Sequence, residues 1–448
     1  MTIVLPIATV QPDFESIISD VQEGLVPEDS FWFSSYKTGE PSVHGKVRLT
    51  LDEIDRNLVR YGGEGGVQFQ HKGERKFVGS CQALNLQPTK FAVPKKVFSD
   101  PLPQAQKTPA VYRRIQAFDV APDGSQFAAG YEDGSVVIVP TSPSDPSIYT
   151  TSKPHLNTIT SLNFFPSSKV ILTSSMDFSL SIIPAEHPAS ASQSPIKVNP
   201  ARTFKGHTRA VTSTGIISRG RTILSSSKDG TIRIWDVPSG SQIRSMGVKG
   251  YTPILAMATG EKGEGAYAQP PDGEDKGIPV PQDAREVETE DKVVFCATYD
   301  GSIQAFDLGS KLSVFRTDPA RGSPALQSIA YSSSSNLLAT GSVQGVVTVY
   351  DTRSLSNALV SFTRNSASIE DLKFVAPISD SAQAGLAIAT EDGLPYIAGV
   401  RPEGPFVEAE LVGTDCEAVR CVRVRGDSGD VWTAGDDGVV RQYDRVVW

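Results

Sequence analysis

Histidine and cysteine are scarce in this chain, with five of one and four of the other in 448 residues. Cys81, Cys296, Cys416 and Cys421 are scattered, which excludes a disulfide framework and fits a reducing compartment. Cys416 and Cys421 lack a second pair at ligand spacing and the histidines are dispersed, so no metal site is expected. No apolar run reaches the length of a membrane span. The opening MTIVLPIATVQPDFES has no basic start, so a secretory leader is not expected. Base is in deficit: 42 Lys and Arg against 51 Asp and Glu leave a net charge of −9, the reverse of a nucleic-acid footprint. The excess acid is local. Residues 261–292 hold ten acids and four bases, so this stretch reads as a solvated insertion and the rest as near neutral.

What the chain does have is a repeat. Its clearest copy runs from Thr203 to Asp236, TFKGHTRAVTSTGIISRGRTILSSSKDGTIRIWD. Gly206-His207 precedes an alternating segment, Ala210 to Ile216. A second segment, Thr222 to Ser227, leads into Lys228-Asp229-Gly230, and Thr231 to Trp235 alternates again. Asp-Gly between two alternating runs signals a hairpin, because the turn needs positive φ and glycine accepts it. The turn recurs at Asp133-Gly134, Asp177-Phe178, Asp229-Gly230, Asp300-Gly301, Gln344-Gly345, Asp392-Gly393 and Asp437-Gly438, with spacings of 44, 52, 71, 44, 48 and 45. A WD-repeat period is about 40–45 residues. The two long gaps hold a Pro/Ser-rich insertion at 184–200 and the acidic Pro/Gly-rich one at 260–291.

After each turn comes a short strand, ending aromatic-Asp at Trp235-Asp236, Phe306-Asp307, Tyr350-Asp351 and Tyr443-Asp444. Seven such units predict an all-β fold, a seven-bladed β-propeller over residues 108–448. The last copy stops at its third strand, so its outer strand is expected from Lys76 to Lys107. Pro395 falls within the expected third strand of the sixth unit and predicts irregularity there. Residues 1–107 lack the repeat and read as a small α+β domain with an extended linker. A helix is expected near Asp13, with Phe14, Ile17, Ile18 and Val21 on one face. Strands are expected at 31–36, 46–51, 67–69 and 76–86, and Pro88 to Pro109 as a linker or wrap. The cluster Gly62 to Gly66 lacks the spacing and the Lys-Ser/Thr ending of a phosphate loop and reads as a hairpin turn.

His207, Asp229, Trp235 and a serine of the second segment, Ser225 or Ser227 on the same face, resemble the hydrogen-bond tetrad of a WD repeat. The same residue types could suggest a hydrolase triad. The structural reading is preferred: Asp holds His, and His orders the unit. His155 and Asp177 look like a partial copy. A propeller enzyme would need acids, histidines or a metal clustered at the central channel, and no such cluster is visible in the sequence. No catalytic residue and no cofactor are therefore expected. The face bearing the turns carries Glu132, Asp133, Asp300, Glu391, Asp392, Asp436 and Asp437, and the loop GTDCEAV adds Asp415 and Glu417. Turn geometry accounts for part of the turn aspartates. It does not account for Asp415 and Glu417, which lead a partner-binding set with Glu391, Asp392, Asp436 and Asp300. Such a face should attract a basic partner. Residues Val349 to Arg353 (VYDTR) resemble the box by which WD-repeat receptors dock on cullin-type ubiquitin ligases, with Tyr in place of Trp.

A more specific resemblance covers most of the chain. FKGHTRAVTSTGIISRGRTILSSSKDGTIRIWD, with its Arg219-Gly220-Arg221 turn, resembles the proteasomal ATPase-associated factor family. So do HLNTITSLNFFPSSKVILTSSMD (155–177), AREVETEDKVVFCAT (284–298), LVGTDCEAV (411–419), DGVVRQYD (437–444) and, more weakly, FWFSSYKTGEPSVHGKV (31–47). The two insertions and the first 25 residues depart from it. The resemblance implies a non-enzymatic chaperone for assembly of the proteasome regulatory-particle base. Its partner would be the C-terminal domain of one base ATPase subunit, with other base-assembly chaperones nearby. A monomer when alone is expected; the few scattered cysteines point to cytoplasm and nucleus, and the acidic balance and lack of a long apolar run leave neither nucleic acid nor membrane as partner. The alternative is a WD-repeat substrate receptor for a cullin-type ubiquitin ligase, through Asp351 and Arg353.

Overall fold

The computed structural model describes residues 2–52, 58–73, 75–101, 113–142, 149–186, 195–263, 283–375, 384–401, 404–414, 416–426 and 428–445. The architecture is all-β and fits a β-propeller; the α-helix among these residues is Phe14–Gln22. From residue 115 on, antiparallel meanders follow one another, within 115–152, 159–205, 211–247, 254–316, 326–363, 369–411 and 419–443; they are called here units 1 to 7. The first strand of each unit packs beside the first strand of the next, and Val419–Val424 of unit 7 packs beside Ile115–Val120 of unit 1.

Every unit shares one irregularity. The pairing of its first strand with its second slips by one residue, at Ile115/Ala117, Ile159/Ser161, Val211/Ser213, Ile254/Ala256, Leu326/Ser328, Ile369/Asp371 and Val419/Cys421. A bulge bends its strand and raises the local twist, as an innermost strand leaving a narrow centre requires. The turns expected from Asp-Gly lie between second and third strands. Six have glycine at φ 70–84°, and Phe178 takes φ 71° in the seventh. A Cβ on Gly230 would collide with the Tyr251 backbone, and one on Gly393 with Cys416 and Glu417. The turns of units 1, 3, 4, 5 and 6 thus press on the loop entering the next unit. Pro395 departs from expectation. It sits just ahead of the strand Tyr396–Arg401, where no ladder N–H is needed, so unit 6 is only shortened at that end.

The N-terminal residues are sewn to three consecutive units. Thr2–Val4 adds in parallel to the outer edge of unit 5 at Ser361–Thr363. Leu86–Ala92 adds in parallel to unit 6 at Ala409–Leu411. Lys96–Ser99 pairs antiparallel with Val439–Gln442 and supplies the outer strand of unit 7. The stretch expected as linker or wrap thus contains two strands, while residues 102–112 lie outside the described part. Between them, Phe14, Ile17, Ile18 and Val21 turn one helix face onto Phe31, Phe33, Phe69, Phe77 and Phe91. Edge-on ring contacts at 4.9–5.9 Å join Phe14 to Phe69 and Phe77. Such pairs add to plain area burial. Gly65 and Gly66, both at positive φ, make the tight connection between Val59–Glu64 and Val67–His71.

Candidate functional site

In unit 3 the structure brings His207, Asp229, Ser225 and Trp235 together. His207 Nδ1 lies 2.8 Å from Asp229 Oδ2, His207 Nε2 lies 2.8 Å from Ser225 Oγ, and Trp235 Nε1 donates to the same Oγ at 2.9 Å. Ser227 serves elsewhere: its hydroxyl donates to the Arg209 carbonyl and accepts the Asp229 N–H. Asp229 also accepts the N–H groups of Thr208 and Thr231 and the Thr231 hydroxyl. Burial pushes its carboxyl up, but the bonds from His207, Thr231 and Thr208 outweigh this and hold it well below the usual carboxylate range. An ionised Asp229 accepts a hydrogen bond from the Nδ1–H, leaving Nε2 to accept from the Ser225 hydroxyl. That is the order of a hydrolytic triad. Yet Ser225 is fully buried and the indole occupies its oxygen, so no carbonyl can approach it. The network holds the unit.

Unit 2 repeats the device with other residues. His155 Nδ1 meets Asp177 at 3.1–3.2 Å, and His155 Nε2 meets Thr173 Oγ1 at 3.0 Å. No tryptophan stands there, and the Thr173 hydroxyl also reaches the Ser181 carbonyl.

The turn aspartates share one task. Asp133, Asp177, Asp229, Asp300, Asp392 and Asp437 each accept the backbone N–H two residues on, at 2.9–3.1 Å. Where Gln344 replaces the aspartate, the Ser342 hydroxyl accepts the Val346 N–H instead. The residue before each turn aspartate, or before Gln344, is placed equivalently around the face. In units 2 to 7 these are Met176, Lys228, Tyr299, Val343, Glu391 and Asp436. Each donates its N–H, at 2.9–3.0 Å, to a carbonyl just ahead of its own unit's first strand.

The predicted partner-binding acids divide. Glu391, Glu417 and Asp300 are exposed, and Asp392 is half-buried with one oxygen taking the Asn365 amide at 2.6 Å. Glu417 lies against the turn glycine Gly393, so the GTDCEAV loop does share the turn face. Asp415 lies outside the described residues. Asp436 needs correction as an accessible acid. It is buried and gripped by Arg420 at 2.8–3.1 Å, with the Gln116 amide at 3.3 Å. Its charge is spent inside.

The cavity between the units also corrects the sequence reading. A cavity of about 290 Å³ is lined by the first strands of all seven units. Charge does gather there. Arg423 reaches Asp119 at 3.3 Å and is bonded to Asp371, so unit 7 is tied to units 1 and 6. Arg420 bridges Glu370 at 3.0 Å and Asp436 at 2.8 Å. Lys373 lies nearby, its ammonium pKa lowered by desolvation. The Asp119 carboxyl is raised by burial, against the pull of Arg423. Asp119 lies some 300 positions before Arg420 and Arg423, and Glu370, Asp371 and Lys373 come from a third strand, so nothing local announces the cluster. Asp119, Glu370 and Asp371 are each engaged by an arginine. Among the described residues no group of three or more His, Cys, Asp or Glu is placed to hold a metal. Cys81, Cys296 and Cys421 are buried thiols, and burial pushes Cys421 up to about 12. No helix is long and apolar enough to cross a membrane among those residues.

At the VYDTR box, the Arg353 guanidinium forks onto its own neighbour Asp351, at 2.5–3.1 Å. The pair closes on itself in solvent, the ordinary fate of an Asp-x-Arg turn.

Two stretches, 147–183 and 198–236, match the family described as WD domain, G-beta repeat. They contain the two histidine networks. No curated protein matches the chain at a significant level. The chain thus carries WD repeats, and these indicate a scaffold for protein–protein interaction.

Proposed function

We propose that the seven units form a closed seven-bladed propeller with a small N-terminal α+β domain, and that the molecule is a non-enzymatic assembly chaperone. It would bind the C-terminal domain of a proteasomal base ATPase subunit and help the regulatory-particle base assemble. The observation that carries this reading is an arc of acid on the turn face of units 6, 7 and 1. Glu391 and Glu417 are exposed there, and so are Glu132 and Asp133, which face Arg114 at 4.0 Å and Arg113 at 3.4 Å, on loops held by rigid sheets. The resemblance of the 155–177, 204–236, 284–298 and 411–419 segments to the ATPase-associated factors supplies the partner. An acidic platform of this kind favours a basic helical surface and quickens its association.

The test is direct binding. Purified C-terminal domains of the base ATPase subunits are titrated into the full chain by calorimetry. One of them binds, and Glu391→Lys/Glu417→Lys weakens it about tenfold or more with a flatter salt dependence. Absence of binding by every such domain, or indifference to the charge reversal, overturns the proposal.

A further inference from the structure

The turn face is not uniformly acidic. On the opposite side, units 2 to 5 expose large apolar or aromatic side chains: Leu156, Met176, Phe178, Tyr251, Tyr299 and Val343. Leu156 is 92%, Tyr251 68% and Tyr299 64% exposed. Met176, Tyr299 and Val343 occupy the position that holds the exposed Glu132 and Glu391 in units 1 and 6, and unit 3 has Lys228 there. Turn chemistry asks for none of them, because the aspartate and the positive-φ residue already satisfy the turn. Phe178 even accepts φ 71°, where glycine stands in the other units. A phenylalanine held at positive φ with 45% of its surface left in solvent spends much of its apolar area outside the core.

The two arcs meet at both ends. Thr158, two residues after Leu156, donates its hydroxyl to the Glu132 carbonyl at 3.3 Å. Past Val343, the Gly345 turn presses on Asn365, whose amide holds Asp392. Acid therefore borders the apolar arc on each side.

We infer that the turn face is one bipartite docking surface, and that its occupant is a protein segment carrying lysines or arginines beside large apolar side chains. The bases seat on the acidic arc of units 6, 7 and 1. The apolar side chains cover Phe178, Met176 and Tyr299. Charge gives the encounter its rate and orientation, and the desolvated rings slow the release. This deepens the reading of the face as a binding surface, and it holds whether or not the partner is an ATPase subunit.

A random peptide library displayed on phage is selected on the full chain, and synthetic copies of the selected peptides are titrated by fluorescence anisotropy at low and high salt. The peptides combine Lys or Arg with Trp, Phe or Leu. Phe178→Asn/Tyr299→Ser lowers their affinity about tenfold or more at both salt levels, as loss of an anchor does. Asparagine keeps the left-handed turn, and an unchanged denaturation midpoint shows the fold intact. Glu391→Lys/Glu417→Lys lowers affinity mainly at low salt. Selected peptides without apolar residues, affinity indifferent to the ring removal, or no selection at all overturns the inference. The ATPase domains form a separate arm. If one binds wild type and the ring variant equally, the bipartite surface fails and the chaperone reading stands. If none binds while the peptides respond to both variants, the chaperone reading fails and the surface stands.

Discussion

Phe98 offers the sharpest measure of how unit 7 is closed. It lies in the strand that, among the described residues, joins the N-terminal part to unit 7, opposite Val440. Its ring stacks on Trp432 at 5.9 Å and meets Phe127 of unit 1 edge-on at 5.0 Å. It is half-buried. Truncating a fully buried phenylalanine costs about 3–5 kcal/mol, so Phe98→Ala should cost about 2 kcal/mol at this seam. That raises the opened population about 30-fold. Native-state hydrogen exchange reads it directly. The Val97–Ser99 and Val439–Gln442 amides that bond across the seam should exchange about 30-fold faster, while those between Thr222–Ser227 and Thr231–Asp236 of unit 3 keep their rates. Unchanged exchange at Val439–Gln442 would show that this strand does not hold unit 7. An equal rise in every unit would show that the seam does not open by itself.

Other outcomes follow from the same geometry. Ser225→Ala leaves the Trp235 indole N–H buried without an acceptor and should cost about 1–3 kcal/mol in chemical denaturation. Gly230→Ala forces a Cβ onto the Tyr251 backbone at φ 76° and should destabilise by more than about 1 kcal/mol, whereas Phe178→Gly should be neutral within about 1 kcal/mol, because relieved strain offsets a looser unfolded chain. Asp177 and Asp229 both have depressed folded pKa values: burial raises each, and the hydrogen bonds described above outweigh it. Their stabilisation is therefore complete above the unfolded carboxylate value of about 3.9 and is lost as pH falls through the folded values. Asp229→Asn should flatten the acid limb of a stability–pH curve by about 1.4 kcal/mol per pH unit, the contribution of one proton.

Much of this fold was legible because its signals are local. An Asp-Gly pair fixes its turn by its own backbone chemistry, and the helix after Asp13 follows from the spacing of Phe14, Ile17, Ile18 and Val21. Even Phe178 could be assigned to a turn, since the aspartate before it and the alternation after it remained. The closing strand could be bracketed, because the last copy was one strand short. What escaped was non-local. Thr2–Val4 and Leu86–Ala92 carry no mark of the edges they join, because parallel addition reads the backbone and not the side chains. The cavity salt bridges needed residues from units 1, 6 and 7 to be placed side by side. Asp436 read as a surface acid because its arginine lies sixteen residues earlier on another strand. The apolar arc escaped for the same reason: Met176, Phe178 and Tyr299 belong to turns far apart in the chain, and only the units set around a common face bring them together.

The stitching of residues 2–99 onto units 5, 6 and 7 has a consequence for how the chain is born. A ribosome releases Lys96–Ser99 first and its partner Val439–Gln442 about 340 residues later, roughly 20–70 s at ordinary elongation rates. Throughout that interval the early strands emerge without the edges they are built to meet. The final stitch waits until unit 7 has been made, so a nascent chain stalled short of it would leave a sticky ribbon for cellular holdases to shield.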